Sequence, residues 1–224
     1  MGYYIDLEKI SIDQYKKVLK SADLLPSWMV LKENIEENLD ILKKQGIQNL
    51  DELQKALKTK GKLQEFSGKS GLDENYLMVL RRVVNGYRPK PNRIRDFPNI
   101  SKDIAVELEL LGIKNTLKLY PEILSKEKRN RLSDRTGIHQ KEIRKLAKLT
   151  DLSRIRWVNH TFAYVLLEAG YDTAKKVAEA NNQEMYETVK QLNIERKIYN
   201  AHIGAHDMKL CVEAAKGLDF EIEY

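Results

Sequence analysis

LDILKKQGIQNLDEL (residues 39–53) decides the fold. Its apolar residues recur at intervals of three and four up to Gly46, the signature of a helix that buries one face. A glycine just beyond such a run is a C-terminal stop. Asn49, three residues on, can cap a following helix by accepting backbone N–H bonds. The same punctuation returns in VELELLGIKNTLKL (106–119) and YVLLEAGYDTAKKV (164–177), which align Gly112 and Gly170 with Gly46, and Asn115 and Thr173 with Asn49.

A second series lies downstream of the first. SGLDENYLMVL (70–80), TGIHQKEIRKL (136–146) and AHIGAHDMKLC (201–211) align Leu72, Ile138 and Ile203. Gly46 to Gly71 and Gly112 to Gly137 are both 25 residues, and the third copy is stretched by seven. Upstream, Asn34-Ile35-Glu36, Asn99-Ile100-Ser101 and Trp157-Val158-Asn159 form a third series. A recurring pattern of this kind implies stacked helical modules that each hide only part of their apolar surface. The expectation is an all-α chain of three units of roughly 60 residues each. They are bounded at 31–92, 93–152 and 153–218, with a helical extension at 1–30 and an acidic tail at 219–224. GYRPKPN (86–92), with two prolines that lack backbone donors, is the clearest joint, and Thr150 to Ser153 is a shorter one.

Each unit holds two turns of the form x-aliphatic-x between helices. They resemble helix-hairpin-helix motifs, whose usual hairpin is Gly-hydrophobic-Gly. With LKSADLLPS (19–27) and DMKLCVEAAK (207–216), the arrangement resembles a bacterial helix-hairpin-helix-like family of unknown function over nearly the whole chain from Tyr3. What the resemblance implies is a hold on the backbone of duplex DNA with little base reading. Independently of the family, Ile35, Leu72, Ile100, Ile138, Val158 and Ile203 are expected to plug the space between helix pairs. The third turn positions are Glu36, Asp73, Ser101, His139, Asn159 and Gly204. Four of these are residue types that tolerate a left-handed backbone.

Charge separates the candidate surfaces. The chain of 224 residues carries a formal +6. The stretch 126–156 alone has eleven basic and four acidic residues, a net +7. RRVVNGYRPKPNRIR (81–95) adds six basic residues and no acid, so the remainder is acidic. After Gly137, Lys141, Arg144, Lys145 and Lys148 fall at i, i+3, i+4 and i+7, opposite Ile143, Leu146 and Ala147. A solvated helix face is the plain alternative. The turn placed just before the stripe brings level with it a phosphate grip formed by Arg135, Gly137, Ile138, His139, Lys141, Arg144, Lys145 and Lys148, which is the reading carried forward. Duplex DNA is the favoured partner, structured RNA the next, and a protein partner for degenerate hairpins the alternative function.

Other classes find little support. Cys211 is the single cysteine, so neither a disulfide nor a thiolate zinc site can form within the chain. FSGKSG (66–71) imitates a phosphate-binding loop but lacks the leading glycine, with Leu63 in its place. His202 and His206 are four apart beside Asp207, an incomplete ligand set. No catalytic constellation is marked, and no cofactor, metal or enzymatic role is expected. Tyr120, Trp157, Phe162 and Tyr164 lie among apolar residues at helical spacing and read as core or contact residues rather than stacking platforms. The charged start, MGYYIDLEKISIDQYKKVLK (1–20), lacks a signal-peptide apolar region, and no segment reads as a membrane span. A cytoplasmic protein without membrane contact is expected.

Overall fold

The computed structural model describes residues 2–224. Its regular elements are helical: α1 (Ile12–Ser21), α2 (Ile35–Lys44), α3 (Leu50–Ala56), α4 (Lys60–Ser70), α5 (Glu74–Asn85), α6 (Lys102–Leu110), α7 (Thr116–Leu119), α8 (Lys126–Thr136), α9 (Gln140–Leu152), α10 (His160–Glu168), α11 (Ala174–Ala178), α12 (Asn182–Arg196) and α13 (Ala205–Lys216). Short 3-10 turns lie at Leu7–Lys9, Pro26–Lys32, Ile94–Asp96 and Tyr120–Glu122. Among the described residues, strand-like pairing is limited to two isolated bridges, Ser11 with Asn49 and Arg93 with Asn115. The protein is all α, as its sequence predicts.

The three aligned glycines end helices in the same way. Gly46, Gly112 and Gly170 stand at φ +87°, +78° and +90°, where an L side chain costs roughly 1–2 kcal/mol. The following residue then folds back on the helix: the Ile47, Ile113 and Tyr171 amides donate to the Leu42, Leu108 and Leu166 carbonyls at 3.1, 2.9 and 3.0 Å. This double turn satisfies carbonyls that the helix end leaves open. Asn49, Asn115 and Thr173 cap the next helices, accepting from the Glu52, Lys118 and Lys176 amides at 3.0, 3.0 and 3.1 Å.

What anchors each cap differs in one place. Leu50 and Thr116 donate their amides to the Ile10 and Asn92 carbonyls at 3.0 and 2.9 Å. The matching amide of Ala174 donates instead to Asp151 Oδ2 at 2.9 Å. Asp151 is 3% exposed and needs a counter-charge, which Arg154, 2% exposed, supplies at 2.9 Å. Arg154 also donates to the Tyr3 and Asp219 carbonyls at 3.2 and 2.8 Å, and its guanidinium lies 4.8 Å from the centre of the Tyr120 ring. One buried arginine therefore holds both chain ends.

The chain parts into two compact units. The first is Ile5–Arg88; the second is Pro89–Tyr224 with the amino-terminal residues up to Tyr4. Residues 1–30, expected as an extension, supply Ile12, Tyr15, Leu19 and Trp28 to the first unit's core beside Leu39, Leu42, Leu53 and Leu80. The acidic end, 219–224, is bound into the second unit. Ile222 is buried, Tyr120 Oη donates to Glu221 at 2.8 Å and the Glu223 amide donates to the Leu124 carbonyl at 2.9 Å. The expected second and third repeats lie together in this unit.

The turns depart from expectation by one position. The left-handed residue is the first of the three, not the third: Asn34, Gly71, Asn99, Gly137 and Trp157 have φ between +45° and +75°. Asp73, Ser101, His139 and Asn159 have negative φ and cap the following helix with their side chains. Residue types that suit a left-handed turn also suit an N-cap, and the helix start takes precedence here. Of the six aliphatic plugs, Leu72, Ile138 and Val158 are buried, and Ile35, Ile100 and Ile203 are half-buried.

Candidate nucleic-acid interface

The α8–α9 corner is built by short hydroxyl side chains around one aliphatic plug. Gly137, at φ +70°, donates its amide to the Ser133 carbonyl at 2.8 Å. Ser133 Oγ donates to the Ile138 carbonyl at 2.7 Å, and Thr136 Oγ1 accepts from the Ile138 amide at 3.2 Å. Every polar group of Ile138 is thus satisfied while its side chain, 6% exposed, packs with Leu132, Ile143 and Leu146. His139 opens α9, its Nδ1 accepting from the Lys141 amide at 3.1 Å. The backbone amides of His139 and Gln140 have no partner among the described residues, and both residues are exposed. Two N–H groups at the positive end of a thirteen-residue helix therefore face water.

The basic stripe is half free and half engaged. Lys141 and Arg144 are exposed and make no ion pair among the described residues. Arg135, half exposed, pairs with Glu122 at 3.0 Å. Lys145, expected to face water, donates to the Asn99 carbonyl at 2.7 Å and lies 6.0 Å from the centre of the Tyr164 ring. Lys148 is paired with Asp172, which also holds Lys176 at 2.9 Å. Burial pushes the Asp172 carboxyl up, but hydrogen bonds from Lys148 and Lys176 outweigh it and hold the group below its ordinary value. Lys145 and Lys148 are therefore structural first.

Two arginines counted in the basic excess are interior: Arg129 donates to the Ile123 carbonyl at 2.8 Å, and Arg154 ties the chain ends. Burial lowers the Arg129 guanidinium's proton affinity. In exchange, α8 adds cations that the stripe on α9 did not include. Lys128, Arg131 and Arg135, at i, i+3 and i+7, are exposed along one face. The free cationic surface is thus Arg131, Lys141 and Arg144, with Lys128 and Arg135 already bonded at its rim.

The remaining sequence signals resolve simply. FSGKSG ends α4 rather than opening a helix, and Lys69 pairs with Glu65 at 2.5 Å, so no helix start cradles a phosphate there. Among the described residues no cluster of three His, Cys, Asp or Glu side chains is placed to hold a metal. Cys211 is buried, which pushes its thiol up to about 12. Trp157, read from sequence as core or contact, is 46% exposed and sits at φ +69°. Among the described residues no helix is long and apolar enough to cross a membrane.

Fold and corner geometry together define an all-helical protein with repeated, side-chain-capped helix corners. The family model of a domain of unknown function, DUF4332, matches residues 98–218, from just before α6 to the end of α13, and the chain belongs to that family. No curated protein and no solved structure matches the chain.

Proposed function

We propose that the chain is an array of three helix-hairpin-helix-like repeats that binds nucleic acid, duplex DNA foremost, through its phosphate backbone and without catalysis. The observation that carries this reading is the α8–α9 corner. Two unpartnered amides at a helix start are flanked by Lys141 and Arg144 on the same helix and by Arg131 on the preceding one, cations that make no ion pair among the described residues. Amides can take one phosphate's oxygens while flanking cations take its neighbours, a recognition indifferent to base sequence. Supporting the repeat reading, the corners at Gly71 and Gly137 share their hydrogen bonds, as compared below.

A salt titration tests it. Affinity for a generic duplex is expected to fall linearly on a log–log plot against salt. Replacing Arg131, Lys141 and Arg144 with Gln is expected to lower that slope by roughly three, alike for unrelated duplexes. An unchanged slope would remove this surface from the function.

One observation favours a second reading, a protein scaffold: on and just after α6, Val106, Leu110 and Leu111 are 53%, 74% and 39% exposed. Adjacent exposed aliphatics of this kind mark contact sites. A scaffold of this kind is expected to capture its partner with little dependence on salt.

A further inference from the structure

We infer that the outer face of α6 docks a basic amphipathic helix of a partner protein, in the way that α1 lies on α2. This rests on the scaffold reading above and names the partner's chemistry.

The helices that end at Gly46, Gly112 and Gly170 are α2, α6 and α10, and counting back from each glycine matches their positions. Six and two residues before it stand Asp40 and Lys44 on α2, Val106 and Leu110 on α6, and Tyr164 and Glu168 on α10. Residues four apart share a helix face. In the first and third copies a neighbouring helix meets that face. α1 packs against α2, and Lys16 on α1 donates to Asp40 and to Glu36 at 3.0 Å each. α12 packs against α10, Arg196 on α12 donates to Glu168, and Tyr164 is buried.

In the second copy the same face is aliphatic and open. Val106 and Leu110 leave 53% and 74% of their surface in water, with Leu111 half-buried beside them. The helix packs by its other side, where Leu108 is buried and Glu109 pairs with Arg95 at 2.9 Å. Apolar surface left open where the sister helices are met by a neighbour marks a contact site. Charge chooses its occupant. Asp103 and Glu107, one turn apart on the exposed side of α6, make no ion pair among the described residues. A second copy of α6 would bring the carboxylates of both chains into one small contact. Three partly exposed aliphatics also fall well short of the roughly 800 Å² per partner that a stable dimer buries. A helix with an aliphatic stripe for Val106, Leu110 and Leu111 and a lysine row for Asp103 and Glu107 answers both features, as Lys16 answers Glu36 and Asp40.

A designed helical peptide of about eighteen residues, with leucines at helical spacing, lysines on the flanks and a fluorescent label for anisotropy, tests the dock on the full chain. Its twin carries glutamate for lysine. The lysine peptide is expected to bind about tenfold more tightly than the twin. Val106→Ser with Leu110→Ser is expected to weaken that binding at least about tenfold. Asp103→Asn with Glu107→Gln is expected to weaken it about threefold and to remove most of the preference over the twin. All four residues are exposed, so both variants should melt close to wild type and keep its duplex affinity. Equal binding of the twin at α6 overturns the basic occupant and leaves the docking face standing. Self-association that Leu110→Ser abolishes overturns it in favour of a second copy. Peptide binding that survives Val106→Ser with Leu110→Ser overturns α6 as the site. Failure of both peptides on a monomeric chain overturns the scaffold reading with it.

Discussion

The corners at Gly71 and Gly137 have one backbone and opposite chemistry. Gly71 and Gly137, at φ +75° and +70°, each donate to a serine carbonyl four residues back at 2.8 Å. Ser67 and Ser133 each donate to the plug's carbonyl, at 2.6 and 2.7 Å, and Ser70 and Thr136 each accept from the plug's amide at 3.2 Å. Beyond that point they diverge. The first corner continues into Asp73 and Glu74, and the Asp73 carboxylate accepts from the Tyr76 amide at 2.8 Å. The second continues into His139 and Gln140. Where α8 and α9 present Arg131, Lys141 and Arg144, the matching positions of α4 and α5 are Glu65, Asn75 and Met78. The turn residues make the corner, and the residues flanking it decide whether an anion is welcome. A carboxylate already occupies the positive end of α5.

The largest effect should come from what the two corners share. Ile138→Asp buries a carboxylate with no partner, and the expected loss is about 4 kcal/mol or more. Leu72→Asp should behave alike in the first unit, since Leu72 is 4% exposed. Thermal or urea unfolding measures both. A small loss at one corner and a large one at the other would break the equivalence of the plugs.

What the corners do not share can be transplanted. His139→Asp with Gln140→Glu gives the second corner the first one's helix start. Aspartate is a strong N-cap, so stability should hold or rise slightly. Two negative charges beside the free amides should weaken duplex binding by roughly ten- to a hundredfold, because like charges brought together cost up to several kcal/mol. Anisotropy with a labelled duplex, alongside a melt, separates the two effects. Binding that survives intact would show that the phosphate sits elsewhere.

Legibility in the sequence followed the range of each interaction. Gly46, Gly112 and Gly170, with their caps at Asn49, Asn115 and Thr173, act within a few residues and could be read directly. Turn register could not, because Asp73 and Asn159 suit a left-handed turn and an N-cap equally, and only the packed helix start decides. The stripe was half legible for a related reason. Lys148 meets Asp172, and Lys145 meets the Asn99 carbonyl, across 24 and 46 residues. Arg154 and Asp151 are spaced like an ordinary surface pair yet are buried together. Arg131 lacked the signal that marked Arg144, because Leu132 is the one apolar residue of α8 and no apolar period sets off a basic face there; its exposure became visible only once α8 was placed.

The smallest effect concerns Lys148, and it sharpens the comparison by freeing a cation instead of removing one. In the first unit the matching residue is Arg82, exposed and without an ion pair among the described residues. In the second, Asp172 holds Lys148 and Lys176. Since its carboxyl sits below the ordinary 3.8 when folded, the ion pairs contribute stability that is complete above that value and is lost as pH falls through the lowered one. Asp172→Asn should remove this acid-side dependence and cost on the order of 1 kcal/mol or less at neutral pH. At the same time Lys148 would join Lys141 and Arg144 in water, extending the cationic face by another turn. Duplex affinity should therefore rise by roughly threefold and the salt slope steepen by up to about one unit. Unfolding followed from about pH 6 down to about pH 2, spanning the carboxylate range, and a salt titration of the same variant, check the two halves. Tighter binding with lower stability would show that the fold and the phosphate grip draw on the same lysine. Unchanged affinity would place Lys148 outside the grip and confine it to Arg131, Lys141, Arg144 and the two free amides.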